Sequence, residues 1–258
     1  MKKIIVSTDK LSKTYFTKEE DFMAVQDFSV DIYDKEFICI MGPCSCGKSA
    51  ILKMIGGIEE PTGGAMKING ISCEKKFPLE LRKKIGFMYQ NENLLPWRTV
   101  EKNLRLPLEI FRDIDKNTPQ RINDVLKMVG LADYKEVTPI ELSGGMKQRV
   151  GIARAMVYDP DLVLMDQPFG KLDAITRKML AFDFINIWQK TQKTFVMITN
   201  SVDEAILCSN RVIILSGCPA QVNKIVDINI PIEQRNAEIE LLPEYQKIRK
   251  EIQSLVRS

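Results

Sequence analysis

Histidine is absent from this sequence of 258 residues. This absence excludes imidazole chemistry and leaves the C-x-C pair, Cys44 and Cys46, without a histidine to complete a metal site. No uninterrupted apolar run reaches the roughly 18 residues that a membrane-spanning helix needs. The apolar start of the chain, Met1–Val6, is too short for a signal peptide and predicts a first strand. The net charge of only +3 argues against a nucleic-acid partner.

What remains is an ordinary globular composition, with 45% hydrophobic and 28% charged residues. Without a secretion signal, the six cysteines are expected to be reduced thiols of a cytosolic protein. The first 35 or so residues alternate between apolar and polar, as in Phe28–Tyr33, and predict an antiparallel sheet. Four short apolar runs separated by helical patterns predict buried parallel strands. These runs are Phe37–Met41, Leu162–Met165, Phe195–Ile198 and Val212–Leu215.

The segment from 91 to 157 has a mainly helical pattern, and its prolines are expected to divide it into short helices. These prolines are Pro96, Pro107, Pro119 and Pro139. We therefore expect one domain over 1–258, with a core lobe of 1–90 and 158–258 and a helical subdomain of 91–157. The C-terminal tail places a set of apolar residues on one helical face, which is expected to pack on its own domain more readily than on a partner. This set is Leu241, Tyr245, Ile248, Ile252 and Leu255.

The strongest motif follows the predicted strand Phe37–Met41 and opens a predicted helix. It fits the phosphate-binding pattern G-x-x-x-x-G-K-[ST]. Its residues are Gly42, Pro43, Cys44, Ser45, Cys46, Gly47, Lys48 and Ser49, followed by Ala50. Backbone N–H groups and a helix N-terminus would converge on a polyanion, Lys48 would meet its outer phosphates, and the Ser49 hydroxyl would ligate Mg²⁺. A plain glycine turn between strand and helix is the alternative.

A second element of the same chemistry lies about 120 residues further on, where the apolar run Leu162–Met165 ends in Asp166. A buried strand delivers this carboxylate to the edge of the sheet, where it can hold Mg²⁺ through water. Many strands end in aspartate, so the assignment depends on its pairing with the phosphate-binding loop.

The segment Leu142–Arg149, with the letters LSGGMKQR, shortly precedes the strand that ends in Asp166. It resembles the signature motif of the ATP-binding cassette (ABC) family. The resemblance implies an α/β P-loop NTPase core with a parallel sheet, an N-terminal antiparallel β subdomain and an inserted α-helical subdomain. It also implies that the signature contacts ATP bound to the opposite subunit. The positions implied in that contact are Ser143, Gly144, Gly145 and Gln148.

Three further positions resemble those of the family. Gln90 matches the glutamine that touches Mg²⁺ and senses the transmembrane partner. Tyr15 matches the aromatic residue that stacks on adenine, although a core tyrosine would look the same. Asp173 matches the aspartate of the loop at the dimer interface. The cofactors implied are ATP and Mg²⁺, with Ser49, Gln90 and Asp166 at the metal.

A finer resemblance covers Asn93–Val100, Leu106–Glu109 and Arg211–Ser216 with the following Cys218-Pro219. These segments are similar to the importer ATPases of the nitrate, sulfonate and taurine group. The similarity implies a homodimer on the inner face of the cell membrane, under two permease subunits that contact the groove near Gln90. An extracytoplasmic solute-binding protein would be an indirect partner. The transported solute cannot be read from this chain.

The sequence departs from the family pattern inside the nucleotide site. Gln167 stands where the family has a glutamate general base, and Asn200 stands where it has a histidine that contacts the γ-phosphate. An amide hydrogen-bonds water but cannot take its proton. Ser45 replaces a glycine, Ala50 a threonine and Lys171 an alanine. Two interpretations compete, an active ATPase with tolerated substitutions and an ATP-binding module with little turnover.

Cys44 and Cys46 lie beside Lys48 at a predicted helix N-terminus, a setting that is expected to lower a thiol pKa. The alternative is that both thiols only fill space. Other functional classes also stay open, namely a non-catalytic subunit that pairs with a competent cassette and an ABC protein of DNA repair or translation. The latter usually carries an insertion or a second cassette, for which this chain has no room.

Overall fold

The computed structural model describes residues 2–18, 20–73, 77–236 and 238–257. Within them, a twisted sheet made by the first third of the chain lies against a second, mostly parallel sheet. Two large clusters of buried apolar side chains occupy the two faces of this second sheet. No helix in the described ranges combines the length and the apolar character that crossing a membrane requires.

The first sheet contains strands β1 to β3, β5 and β6 in the described residues. β1 is its centre and pairs antiparallel with β2, β3 and β5, as the alternating pattern of residues 1–35 predicts. The bounds are β1 Ile4–Tyr15, β2 Phe22–Phe28, β3 Asp31–Tyr33, β5 Gly63–Ile68 and β6 Ile71–Ser72.

The second sheet has the strand order β11-β10-β4-β9-β8-β7 in the described residues, and all pairs are parallel except β10 with β11. The four predicted apolar runs form β4, β10, β9 and β8, so that prediction is confirmed. β7 and β11 were not predicted. The bounds are β4 Phe37–Met41, β7 Ile85–Met88, β8 Leu162–Asp166, β9 Thr194–Ile198, β10 Arg211–Leu215 and β11 Val222–Asp227.

Helices connect the strands and fill much of the segment between β7 and β8. Their bounds are α1 Lys48–Ile55, α2 Leu79–Arg82, α3 Val100–Ile110, α4 Thr118–Met128, α5 Gly144–Met156, α6 Ala174–Thr191, α7 Val202–Cys208 and α8 Pro243–Arg257. Short 3₁₀ turns lie at Ala132–Tyr134, Pro139–Glu141, Ile232–Gln234 and Ile239–Leu241.

The prolines behave as predicted with one exception. Pro96 precedes α3, Pro119 lies in the first turn of α4, and Pro139 begins a 3₁₀ turn. Pro107, however, lies inside α3, so the expectation that it ends a helix is wrong. Its missing N–H removes a single intrahelical bond, and the helix continues far enough for the N–H of Phe111 to bond the Pro107 carbonyl at 2.9 Å.

The tail packs on its own chain through α8. Tyr245, Ile248 and Ile252 are buried in the large cluster on one face of the second sheet, and Leu255 is partly buried beside them. Leu241 departs from the prediction, because it lies in the 3₁₀ turn before α8 and is 78% exposed. The chain bends at this turn, so the helical periodicity does not extend back to Leu241.

Candidate nucleotide site

The site lies at one edge of the second sheet, where the parallel strands β4, β7, β8 and β9 have their carboxyl ends. Open α/β sheets bind ligands at this edge. The phosphate-binding motif follows β4, Gln90 follows β7, Asp166 ends β8 and Asn200 follows β9. The fold therefore gathers segments that are far apart in the sequence.

The cradle depends on Gly47, which precedes α1 with a φ of 114°. A Cβ at this position would lie 2.3 Å from the carbonyl oxygen of Ala24, so only glycine fits. Gly47 has no side chain to cap α1, so the first turn of that helix can present backbone N–H groups to an anion.

Lys48, the first residue of α1, is 5% exposed. Its ammonium group donates to the carbonyl oxygens of Gly42 at 2.8 Å and Pro43 at 2.6 Å. Two neutral carbonyl oxygens thus hold the ammonium group over the loop. A phosphate oxygen, which carries charge, would be a stronger acceptor for the same ammonium group.

Asp166 is 8% exposed, and its Oδ1 has no hydrogen-bond partner among the described residues. Burial raises the pKa of its carboxyl, an effect opposed by a hydrogen bond from Ser49 and by the nearby Lys53 and Lys48. A hydroxyl and a carboxylate with an unused oxygen fit the donor set that Mg²⁺ prefers. Ser49 and Asp166 are therefore the residues that could hold the metal.

A cavity of about 410 Å³ opens over the cradle, which is within the usual range for a ligand site. Most of the predicted nucleotide-binding residues line it. These are Tyr15, Cys44, Ser45, Cys46, Gly47, Lys48, Ser49, Ala50, Gln167 and Asn200, while Gly42 and Pro43 lie beneath as acceptors for Lys48.

Sequence reasoning missed three residues that line the same cavity, Phe22, Ala24 and Lys53. Phe22 and Ala24 belong to β2, and Phe22 lies directly opposite Tyr15 in the pairing of β1 with β2. The register of that hairpin, with its bulges, carries no local sequence signal. Lys53 follows Lys48 on α1, and its ammonium group lies 3.0 Å from a carboxylate oxygen of Glu59.

Tyr15 forms one wall of this cavity. Its hydroxyl donates to Glu59 at 2.5 Å, and the Lys13 ammonium group lies 5.2 Å from the ring centroid. Burial and the neighbouring Glu59 carboxylate raise the Tyr15 pKa to about 12. The ring is therefore a neutral, fixed surface that suits a flat aromatic ligand such as a nucleobase.

Gln167 and Asn200 form a direct pair at the edge of the cavity. The Asn200 side-chain amide donates to the Gln167 side-chain carbonyl at 3.2 Å. Gln167 has a φ of 47°, and its backbone N–H donates to the Ile198 carbonyl at 3.0 Å. The two amides can orient a water molecule, but neither accepts its proton near neutral pH.

The signature residues lie at a separate place in the chain. Ser143 is exposed, precedes α5 and accepts from the N–H of Met146 at 3.3 Å. A Cβ on Gly144 would lie 3.1 Å from the side chain of Leu172, so the start of α5 packs against the loop before α6. Asp173, also exposed, caps α6 by accepting from two backbone N–H groups.

Gln148 and Gln90 both lie outside the lining of the cavity over the cradle. Gln148 is fully buried and its amide donates to Glu92 at 2.6 Å, so it does not face a ligand on another subunit as the sequence suggested. The helical period turns this side chain inward, away from Ser143. Gln90 is exposed, and its amide nitrogen lies 3.7 Å from the Cβ position of Gly170, outside the cavity lining.

The expectation of a lowered thiol pKa is wrong for Cys46. This side chain is 1% exposed, and burial raises its pKa in spite of the opposing effect of Lys48. The loop turns Cys46 towards Gly42 and away from solvent, which leaves Cys44 as the exposed thiol of the pair.

Comparison with known proteins agrees with this geometry. A sequence model of the family described as ABC transporter matches residues 25–170. An uncharacterized ABC transporter ATP-binding protein of Methanocaldococcus jannaschii is 39% identical over 95% of this chain and 90% of its own length. The nitrate import ATP-binding protein NrtD of Synechococcus elongatus is 33% identical, covering 94% of this chain and 88% of its own.

An aliphatic sulfonates import ATP-binding protein SsuB of Bacillus cereus is 36% identical, covering 96% of this chain and 94% of its own. Among solved structures, a dimeric post-hydrolysis state of the ATP-binding cassette MJ0796 bound to ADP and Pi superposes with a TM-score of 0.77. It has 31% identity and covers 88% of this chain and all of its own. With the phosphate cradle, the signature turn and these relatives in agreement, the chain belongs to the ABC transporter family of ATP-binding subunits and resembles its nitrate and sulfonate group.

Proposed function

We propose that this chain binds ATP with Mg²⁺ as the subunit of an importer for a small solute of the nitrate, sulfonate or taurine kind. In this proposal ATP binding closes a homodimer, and hydrolysis is slow. The observation that carries the second part is the hydrogen-bonded pair of Gln167 and Asn200 at the edge of the phosphate cavity.

The cavity supports ATP as the ligand. The adenine would stack on Tyr15, and the phosphates would enter the cradle of Gly47 and the first turn of α1. Lys48 would exchange its two carbonyl contacts for phosphate oxygens. Mg²⁺ would be held by Ser49 and Asp166, with Gln90 reaching it after a rearrangement of its loop. The metal supplies charge neutralisation at the phosphates when bound.

Slow hydrolysis is expected because neither amide can accept a proton from water near neutral pH. A positioned general base typically contributes about 10²- to 10⁴-fold to a rate. Gln167 keeps the hydrogen-bonding capacity of a glutamate at this place and loses its basicity. Asn200 is shorter than histidine and stays neutral, and it is already committed to Gln167.

The partners are proposed from the surface and from the relatives. Tyr89, the residue before Gln90, is 38% exposed, and Trp97 in the following loop is 75% exposed. Exposed aromatic side chains are common on surfaces that dock another protein. We assign this surface to the permease subunits, which would hold the chain on the cytoplasmic face of the membrane. A solute-binding protein outside the membrane would act through the permease. No nucleic-acid partner is proposed.

The test compares single-turnover hydrolysis by the wild type and by the double variant Gln167→Glu with Asn200→His. The double variant should hydrolyse bound ATP at least about 10²-fold faster with a similar ATP affinity, because it regains a base and an imidazole. Lys48→Ala serves as the binding-deficient control. Equal rates in the two proteins would overturn the proposal of slow hydrolysis, and absence of ATP binding to the wild type would overturn the whole assignment.

The same amide pair also favours a second candidate, a non-hydrolysing subunit that pairs with a different, competent cassette. Purified alone with MgATP, the chain should form a homodimer under the first proposal. Under the second it should stay monomeric and dimerise only after a competent cassette is added. Equilibrium sedimentation of the chain alone and of the mixture separates the two.

A further inference from the structure

A second, smaller cavity lies directly behind the amide pair. Its volume is about 190 Å³, and Gln167 and Asn200 line both this cavity and the larger one over the phosphate cradle. The smaller cavity is also lined by Glu204, Thr199 and Arg177. Water held by the two amides would therefore lie next to this polar cavity, whose lining includes the Glu204 carboxylate.

The contacts of Glu204 show that its carboxylate is an acceptor. The Thr199 hydroxyl accepts from the N–H of Ser201 at 3.0 Å and hydrogen-bonds Glu204 Oε2, so the hydroxyl hydrogen points at Glu204. The other oxygen, Oε1, lies 3.5 Å from Nε of Arg177. Thr199 immediately precedes Asn200, so the position of this carboxylate is tied to that of the amide pair.

The surroundings of Glu204 make it a better base than an exposed glutamate. Burial raises its pKa, the hydrogen bond from Thr199 and the charge of Arg177 lower it, and the adjacent Asp203 raises it. The charge of Glu204 in turn helps to raise the pKa values of the buried Cys39 and Cys208 thiols. The net direction is upward from the ordinary value. A base of raised pKa accepts a proton more readily and still releases it to solvent.

We propose that Glu204 is the proton acceptor for the slow ATP hydrolysis of this chain, reached through water in the cavity behind Gln167 and Asn200. The inference rests on the proposed function. In the step, the water oxygen bonds to the γ-phosphorus, the bond between that phosphorus and the β–γ bridging oxygen breaks, and ADP leaves with the electron pair. One water proton passes along cavity water to the Glu204 carboxylate and from there to solvent.

Gln167 and Asn200 have the orienting part in this step, since each amide retains hydrogen-bonding capacity beyond their mutual contact. Asp166 is the other buried carboxylate near the phosphates, but it is committed to Ser49 and to the proposed metal. In this proposal Glu204 accepts the proton through intervening water and does not contact the ATP. The expected contribution is smaller than that of a direct base.

The experiment places Glu204→Gln in two backgrounds, the wild type and Gln167→Glu. Single-turnover hydrolysis of radiolabelled ATP is followed from pH 5 to 9, with ATP affinity and melting temperature measured for each protein. In the wild-type background Glu204→Gln should lower the rate at least about 10-fold and remove the fall in rate on the acid side. In the Gln167→Glu background, where a nearer base is present, it should change the rate by less than about 3-fold.

Two variants serve as controls. Glu204→Asp keeps a carboxylate and should retain both a measurable rate and the acid-side fall. Asp203→Asn removes the neighbouring carboxylate of α7, which bonds Tyr245 and Arg249. It should keep the acid-side fall and move it to lower pH, because the charge of Asp203 raises the pKa of Glu204. If Glu204→Gln unfolds the chain, the Glu204→Asp protein decides the question. Its rate should still fall on the acid side, at a pH displaced from that of the wild type by the different pKa of the aspartate carboxyl. An acid-side fall at the wild-type pH would contradict the inference.

Three results would overturn the inference. One is an equal rate loss from Glu204→Gln in both backgrounds, which would indicate a structural role. Another is an unchanged acid-side fall in Glu204→Gln. The third is no ADP formation by the wild type above the Lys48→Ala control. Failure of the proposed function looks different, because it appears as absent ATP binding or as no gain from Gln167→Glu with Asn200→His.

Discussion

Two residues of the site have left-handed backbone conformations that L-residues other than glycine rarely adopt. Ser45 in the cradle has a φ of 60°, and Gln167 after β8 has a φ of 47°. Such a conformation costs about 1–2 kcal/mol. The bond from the Gln167 N–H to Ile198 holds the second of these in place. The strain thus lies where phosphates and water would be bound, as is common at functional sites.

The strain at Ser45 yields a prediction. Ser45→Gly should raise the free energy of unfolding by about 1 kcal/mol, because glycine adopts this φ without a steric penalty. It should also tighten ATP binding, since the cradle N–H groups can then approach the phosphates more closely. Chemical denaturation and titration calorimetry measure the two effects.

Lys35→Gly is the matched control, because Lys35 has a φ of 61° in the exposed turn before β4. It should stabilise the fold by a similar amount and leave ATP affinity unchanged. A Ser45→Gly protein whose ATP affinity equals that of the wild type would show that Ser45 does not obstruct the cradle.

The sequence predicted which side chains form the cradle better than it predicted the burial and pKa of those side chains. The motif placed Lys48 and Ser49 at the site, because a strand followed by a helix fixes the local geometry, and the family resemblance placed Gln167 and Asn200 there. The pKa of Cys46 was predicted in the wrong direction, since its burial depends on contacts with Gly42 and its neighbours in three dimensions. Burial of a single thiol has no sequence pattern.

At the scale of elements, the loop after β7 is bound firmly to α5. Glu92 accepts from the buried Gln148 amide at 2.6 Å. Arg154, further along α5, donates to the backbone carbonyl of Asn93 at 2.8 Å and to that of Glu92. The loop that contains Gln90 is therefore joined by three hydrogen bonds to the helix that begins at the signature turn.

This connection gives a prediction at the same scale. Glu92→Ala should lower the free energy of unfolding by about 1–3 kcal/mol, because it leaves the buried Gln148 amide without its acceptor. Urea denaturation measures the change. Glu136→Ala removes a glutamate whose side chain is 68% exposed and should change stability by less than about 0.5 kcal/mol. Equal stability of the Glu92→Ala protein and the wild type would mean that water replaces the carboxylate.

The predictability of the elements followed their burial. β4, β8, β9 and β10 are continuous apolar runs because both faces of the sheet are covered, one by helices and the other by α1 and the first sheet. Such runs are visible in the sequence. β7 is short and contains Gly86, where the backbone of Ala155 approaches closely, and β11 is a largely exposed edge strand. β11 lacks the apolar pattern of a buried strand, and the apolar run of β7, although mostly buried, is only four residues long. Pro107 was misjudged because one lost hydrogen bond does not end a helix that is packed on its neighbours.

At the scale of the whole molecule, the proposed function divides the nucleotide site between two places on the chain. The residues that we propose for adenine and phosphates line the cavity over the cradle, and Asp166, proposed for the metal, is hydrogen-bonded to Ser49 of that lining. The exposed N-terminus of α5, with Ser143 and Gly144, lies apart from the lining of that cavity. A free helix N-terminus attracts a polyanion. Each half would be completed by the other half of a second copy, and the similar cassette MJ0796 has been solved as a dimer.

We therefore expect the wild type to form a dimer with MgATP that persists for much longer than the dimer of the Gln167→Glu, Asn200→His protein, because slow hydrolysis delays its opening.

Ser143→Asp should stay monomeric with ATP. It keeps a side-chain acceptor to cap α5 but adds a negative charge facing the phosphates of the second copy. Ser143→Thr keeps the cap without the charge and should dimerise like the wild type. Light scattering after size-exclusion chromatography, with ATP affinity measured in parallel, distinguishes these proteins. If Ser143→Asp dimerises as readily as Ser143→Thr, the signature turn does not face the bound ATP, and the two halves meet in another way.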